Sequence, residues 1–222
     1  MGPSSSSSED MQIGKFKSIL AAAEASISMG GVRLHEANAG LIAVSEVMRA
    51  LLDVRAAGIA TVMLIGGVNG CFGGMGIVAR CADTVVMSDI ARHAMSGPEV
   101  IESAHGAGEF DSRDRALVWR TTGGKHRWLC GDCDVLLDDD AAAFRDAAIA
   151  ALDAHRPMTL EALQLESALL QARADADGDN ADAFELWSRL GVPEPRAVPD
   201  LDADALRPRR PAAAAALAQG AA

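Results

Sequence analysis

Three glycine-centred segments carry the chemistry that this chain can do. Asn69-Gly70-Cys71-Phe72-Gly73-Gly74-Met75-Gly76 separates an apolar run, residues 59–65, from a helical pattern over residues 77–82. A strand that breaks at glycines and restarts as a helix leaves first-turn N–H groups without intrahelical acceptors. With no side chains in the way, such donors approach a developing negative charge closely. Gly30-Gly31, followed by Val32 and Arg33, is a second donor set upstream, and Gly97-Pro98 marks a third turn. Paired backbone donor sets predict an enzyme that stabilises an oxyanion rather than one that deploys a reactive side chain. The chain also lacks a Gly-x-Ser-x-Gly elbow.

The remaining candidates are weaker. Gly67 and Gly70 do not complete a Gly-x-Gly-x-x-Gly fingerprint, and no P-loop Gly-Lys-Ser/Thr occurs. Cys130-Gly131-Asp132-Cys133 has the spacing of half a zinc site or a redox pair, with His126 as the nearest further ligand. We read it as reduced cysteines at a helix-to-strand turn. His35, His93 and His105 have no metal-type spacing, and residues 175–180 lack the closing glutamate of a calcium loop. Arg33 and Glu36 lie one helical turn apart, so Arg33 either forms a surface ion pair or orients a carboxylate. Arg113, Arg115, Arg120, Lys125, His126 and Arg127 form the densest basic stretch, either a solvated helix face or a dock for an acidic carrier protein.

These groups must be held by alternating strands and helices. The periodicity predicts helices over residues 11–28 and 33–52, a strand over 59–65, the helix after the glycine turn, and a strand at Thr84-Val85-Val86-Met87-Ser88. Pro98 suits a helix start, residues 111–122 read as a helix stopped by Gly123-Gly124, and residues 134–137 as a short strand. Asp138-Asp139-Asp140 caps a helix over 141–154, and two acidic helices follow at 158–173 and 182–190. Strand–helix alternation at this spacing indicates a parallel α/β core. The expected organisation is a disordered lead (1–10), one α/β domain (11–156), C-terminal helices (157–196) and a mobile tail (197–222).

Charge excludes several partners. Residues 1–129 carry 12 Lys/Arg against 13 Asp/Glu, whereas residues 130–222 carry 8 against 18. An acidic C-terminal part with no Tyr and three Trp argues against nucleic acid. No apolar run approaches the ~20 residues needed to span a bilayer. The N-terminus lacks the basic start and apolar core of a signal peptide, so the expected location is the cytoplasm.

The segments at residues 30–38, 70–75, 96–102 and 114–127 occur together in an order that resembles the beta subunit of biotin-independent malonate decarboxylase, over residues 30–156. That resemblance implies an α/β, crotonase-like ββα superhelix of the carboxyltransferase type with a helical acidic C-terminal tail. It implies decarboxylation of malonyl-S-acyl-carrier-protein to the acetyl thioester and CO2 in malonate catabolism. The implied partners are a gamma subunit, with the active site between the two subunits, and an acyl carrier protein. No metal or other cofactor is implied for this subunit, since the substrate rides on the carrier's phosphopantetheine-type group. The implied catalytic backbone is Gly30, Gly31, Val32, Gly73 and Gly74, with Gly31 or Val32 paired with Gly74 at the enolate oxygen. Arg33, Gly97, Pro98, Arg113, Arg115, Lys125 and Arg127 are the implied substrate or carrier contacts. Two alternatives are an acyl-CoA carboxyltransferase subunit of the acetyl-CoA carboxylase type and a catalytically inactive structural subunit. Only 29 residues precede Gly30, and residues 25–29 stand where the family runs a strand into Gly-Gly-Val-Arg, so the N-terminal part is expected to be shortened.

Overall fold

A computed structural model describes residues 38–154, 158–177, 182–212 and 214–215. The lead, the helix expected over 11–28, the Gly30-Gly31 pair, Arg33, His35 and Glu36 lie outside the described residues. Within them, the order is helix α1 (Asn38–Ala56), β1 (Val62–Ile65), α2 (Gly74–Ala79), β2 (Thr84–Ser88), α3 (Pro98–His105), α4 (Arg115–Thr122), α5 (Gly124–Leu129), β3 (Val135–Leu137), α6 (Ala141–Asp153), α7 (Leu160–Asp177), α8 (Ala183–Arg189) and α9 (Ala203–Leu206). Short 3₁₀ turns at Pro195–Asp200 and Arg207–Arg209 flank α9.

The strands form one parallel sheet in the order β1-β2-β3, with Val62 opposite Thr84 and Val86 opposite Val135. β2 is buried at all five positions, as the middle strand of a parallel sheet covered on both faces must be. Its run Thr84-Val85-Val86-Met87-Ser88 is β-branched and apolar enough to fill that place. α6 packs on all three strands. It starts where expected because the Asp140 side chain accepts from Ala143 N at 2.8 Å.

The Asp83 carboxylate sets the length of β1. It accepts from Thr61 N (2.7 Å), Thr61 Oγ1 (2.8 Å) and Arg55 Nε (2.6 Å). Thr61 is thereby turned to Asp83, and the strand begins at Val62 rather than Ile59. Asp83 also fixes α1 to the sheet, because Arg55 donates in addition to Cys81 O at 2.9 Å.

Four further expectations are corrected. α2 starts at Gly74, three residues before the predicted Ile77. The helix expected from Asp111 starts at Arg115, because Asp114 is its cap (Oδ1 to Leu117 N, 3.0 Å) while Asp111 closes a separate turn onto Arg113 N. Gly123-Gly124 does not end the helical region, since Gly124 opens α5. The stretch from Ala197, expected to be mobile, is folded as far as it is described. Val198, Ala203 and Leu206 join the cluster that contains Val85, Met87, Leu136 and Trp187.

Candidate active site

The glycine turn is built against the segment that follows β2. Cys71 N donates to Arg92 O (2.8 Å), Ala94 N to Cys71 O (3.2 Å) and Gly73 N to Met95 O (2.9 Å). The His93 Nε2–H donates to Gly76 O at 2.8 Å, which assigns the proton to that nitrogen. Segment 91–95 is anchored in turn to the α4–α5 junction, by His93 N on Thr122 O (2.7 Å) and Gly124 N on Ala91 O (2.8 Å). The glycine turn and the Thr122–Gly124 junction therefore meet on one strip of backbone, residues 91–95, which runs on into Gly97-Pro98.

Two glycines here have no substitute. Gly73 sits at φ 64°, ψ −141°, a region closed to residues with a Cβ, and it turns the chain into α2. A Cβ on Gly76 would strike the carbonyl oxygen of Ala94. The result is a helix start held from behind. Gly73's own N–H is spent on Met95, whereas Gly74 and Met75, the first residues of α2, donate to no acceptor among the described residues. The available donors are therefore at Gly74 and Met75.

Cys71 and His93 carry no charge here at neutral pH. Burial pushes the Cys71 thiol up to about 11, so it stays protonated at neutral pH and is no nucleophile. Burial also lowers His93, keeping its imidazole neutral.

The other predicted residues divide. Gly97 precedes Pro98 at the start of α3, two residues beyond the Met95 carbonyl that holds Gly73. Arg113 is exposed, and the exposed Arg115 sets its guanidinium 5.1 Å from the Trp119 ring centroid. Lys125 Nζ donates to Pro199 O at 2.8 Å. Arg127 leaves the docking set, because its guanidinium turns inward to Asp132 Oδ2 (2.9 Å) and Thr121 O (3.1 Å). Asp132 also takes Arg173 at 2.8 Å and lies 4.0 Å from Arg80. Burial alone would raise the Asp132 carboxyl, but Arg127, Arg173 and Arg80 outweigh it and hold it well below the usual carboxylate range.

His126 is likewise structural. Trp187 Nε1 donates to its Nδ1 at 3.2 Å, so the ring proton sits on Nε2, 3.6 Å from Cys130 Sγ. Burial lowers His126 to about 3 and pushes Cys130 up to about 12. Cys133 donates its thiol to Val135 O at 3.0 Å. Among the described residues no group of three or more His, Cys, Asp or Glu could hold a metal ion, and no helix is long and apolar enough to cross a membrane.

Sequence reasoning missed Arg92. Its Nε and Nη2 donate to Val68 O at 2.9 and 2.6 Å, and Nη2 reaches Asn69 O at 3.4 Å. Its partners are backbone carbonyls, which leave no mark in the sequence.

No family model matches the chain. The chain is 39% identical over 189 residues to the malonyl-S-ACP:biotin-protein carboxyltransferase MADC of Malonomonas rubra. That match covers 81% of this chain and 58% of the relative, so the chain spans little more than half of that relative's length. Among solved structures, a chain of the Pseudomonas malonate decarboxylase hetero-tetramer in complex with malonate matches with a TM-score of 0.64 and 33% identity, over 80% of this chain and 68% of that one. A chain of the Pseudomonas malonate decarboxylase MdcD-MdcE hetero-dimer matches at 0.52 and 31%, over 70% and 68%.

Proposed function

Because this chain belongs to the malonate decarboxylase beta-type subunit family, with its crotonase-like carboxyltransferase fold, we propose that it is the enolate-stabilising subunit of a malonyl-thioester decarboxylase. The observation that carries the reading is the pair of unengaged N–H groups at Gly74 and Met75, on a turn held rigidly from behind.

In the proposed reaction the bond between the malonyl carboxylate and the α-carbon breaks, and CO2 leaves. The electron pair moves into a thioester enolate whose oxygen takes the charge. A proton delivered to the α-carbon then gives the acetyl thioester. Each donor preorganised at that oxygen contributes about 3–4 kcal/mol in favourable cases. Gly31 or Val32 supplies the second donor, and Arg33, Gly97 and Pro98 bind the substrate or its carrier. No side-chain nucleophile takes part, in keeping with the protonated Cys71.

The substrate arrives on an acyl carrier protein, which docks on the side that carries the exposed Arg113 and Arg115 and the half-buried Lys125. The partner is a gamma subunit completing the active site. An exposed apolar stripe on α1 supports a partner of this kind, with Leu41 63% and Ile42 61% exposed. The complex works in the cytoplasm.

A second reading is favoured by the relative's name, a carboxyltransferase acting between malonyl-S-ACP and a biotin protein. It uses the same enolate half-reaction, with the carboxyl group delivered to biotin. Co-expression with a gamma subunit, followed by assay of CO2 from malonyl-loaded carrier, separates the two. CO2 release without biotin protein supports the decarboxylase, whereas no CO2 release but recovery of the malonyl carboxyl group on added biotin protein supports transfer. An assembled complex inactive under both conditions refutes both and leaves a structural subunit.

A further inference from the structure

Arg92 grips the glycine turn on both sides of Gly70. Ahead of Gly70, its side chain collects Val68 O through two N–H groups (2.9 and 2.6 Å) and Asn69 O at 3.4 Å. Behind it, the Arg92 main-chain carbonyl takes Cys71 N at 2.8 Å. Gly70 itself is at φ 79°, and a Cβ there would lie 3.1 Å from Arg92 Cβ and against the Phe72 ring. The guanidinium carbon stands 5.4 Å from the Phe72 ring centroid and 4.8 Å from that of Trp119, so it bridges the turn to helix α4.

Among the described residues no carboxylate pairs with this guanidinium. An arginine that binds backbone carbonyls and two aromatic rings, with its charge unneutralised, is not an ordinary surface cation. Its fork fixes the carbonyls of residues 68 and 69, and hence the direction in which the chain enters residues 70–75. A lysine keeps the charge but offers neither a planar fork nor a stacking face.

Building on the reading above, we propose that Arg92 is a positioning residue that sets the aim of the Gly74 and Met75 N–H groups at the enolate oxygen. It touches no reacting atom. It acts through the turn, and a displacement of about 1 Å there costs on the order of 100-fold in rate.

The test compares the full chain with Arg92→Lys and Arg92→Ala, each assembled with the gamma subunit. The expected result is a kcat on malonyl-loaded carrier lowered about 10-fold by lysine and about 100-fold by alanine, with KM changed less than twofold. Amide exchange over residues 66–76 should accelerate while residues 84–88 keep wild-type protection. Unchanged kcat in both variants overturns the proposal, as does a rise in KM at constant kcat. Exchange that quickens equally across β2 also overturns it, because Arg92 would then be a general stabiliser. Exchange is measured whether or not the wild type turns over. An inactive wild-type complex therefore sinks the decarboxylase reading, while exchange over residues 66–76 still decides whether Arg92 holds the turn.

Discussion

Arg173 Nη1 meets Asp132 Oδ1 at 2.8 Å and the Cys130 carbonyl at 3.1 Å, so helix α7 is tied to the turn between α5 and β3 by one guanidinium. Asp132 is 6% exposed and serves Arg127 and Arg80 as well. Asp132→Asn leaves the half-buried Arg127 and Arg173 without their carboxylate, while Arg80 keeps Glu166 at 2.9 Å. The expected loss of stability is about 3–5 kcal/mol, read as a lowered urea midpoint. Arg173→Met should cost less, because Arg127 and Arg80 still neutralise the carboxylate.

Stability should depend on pH through His126. Its folded-state pKa is lowered to about 3 from an ordinary 6.5. Between those values the unfolded chain binds a proton there that the folded chain does not, so stability falls as pH falls. The slope approaches about 1.4 kcal/mol per pH unit for one such group. His93 shifts in the same direction and steepens it. Asp132 works at lower pH, since its depressed pKa gives stability that is lost only as pH drops below 3.8. Urea midpoints at pH 7, 6 and 5 measure the slope, and His126→Gln should flatten it.

Gly74→Val places a branched side chain at the first residue of α2, beside the unengaged donors. Its kcat on malonyl-loaded carrier should fall about 100-fold or more, with the complex assembled normally on a sizing column. Turnover at the wild-type rate would remove Gly74 from the oxyanion site. Gly76→Ala should instead lower stability, because the new methyl meets the Ala94 carbonyl.

Reversing the exposed charges tests the carrier dock. Arg113→Glu with Arg115→Glu should raise KM for an acidic carrier several-fold and leave kcat unaltered. The wild-type KM should also rise with added salt, and that dependence should weaken in the variant. Arg127→Glu would report on folding instead, since Arg127 is committed to Asp132.

What was legible in the sequence follows from where each signal lies. β2 was read at its observed bounds because a middle parallel strand is an unbroken apolar run between polar ends. The glycine turn was visible because glycine is the residue that permits it. α5 was missed because Gly123-Gly124 has the composition of a stop. Here Gly124 lacks a Cβ so that α5 can start directly on the Ser88 carbonyl. Arg127 was grouped with exposed neighbours because its partner, Asp132, approaches through a fold back of the chain rather than at helical spacing. The C-terminal stretch was misjudged for a related reason. Val198, Ala203 and Leu206 follow no period of a strand or a long helix, yet each is completely buried.

Those three side chains have a consequence for how the protein comes into being. They occupy the same cluster as Val85, Met87 and Leu136, which are synthesised more than sixty positions earlier. The sheet can pair as soon as β3 emerges, but its apolar cover stays incomplete until residue 206 has left the ribosome. Through that interval a nascent chain presents the β2–β3 surface to its surroundings, joined by Trp187 once it has emerged. That surface is open to aggregation while the chain is being made and closed once it is finished.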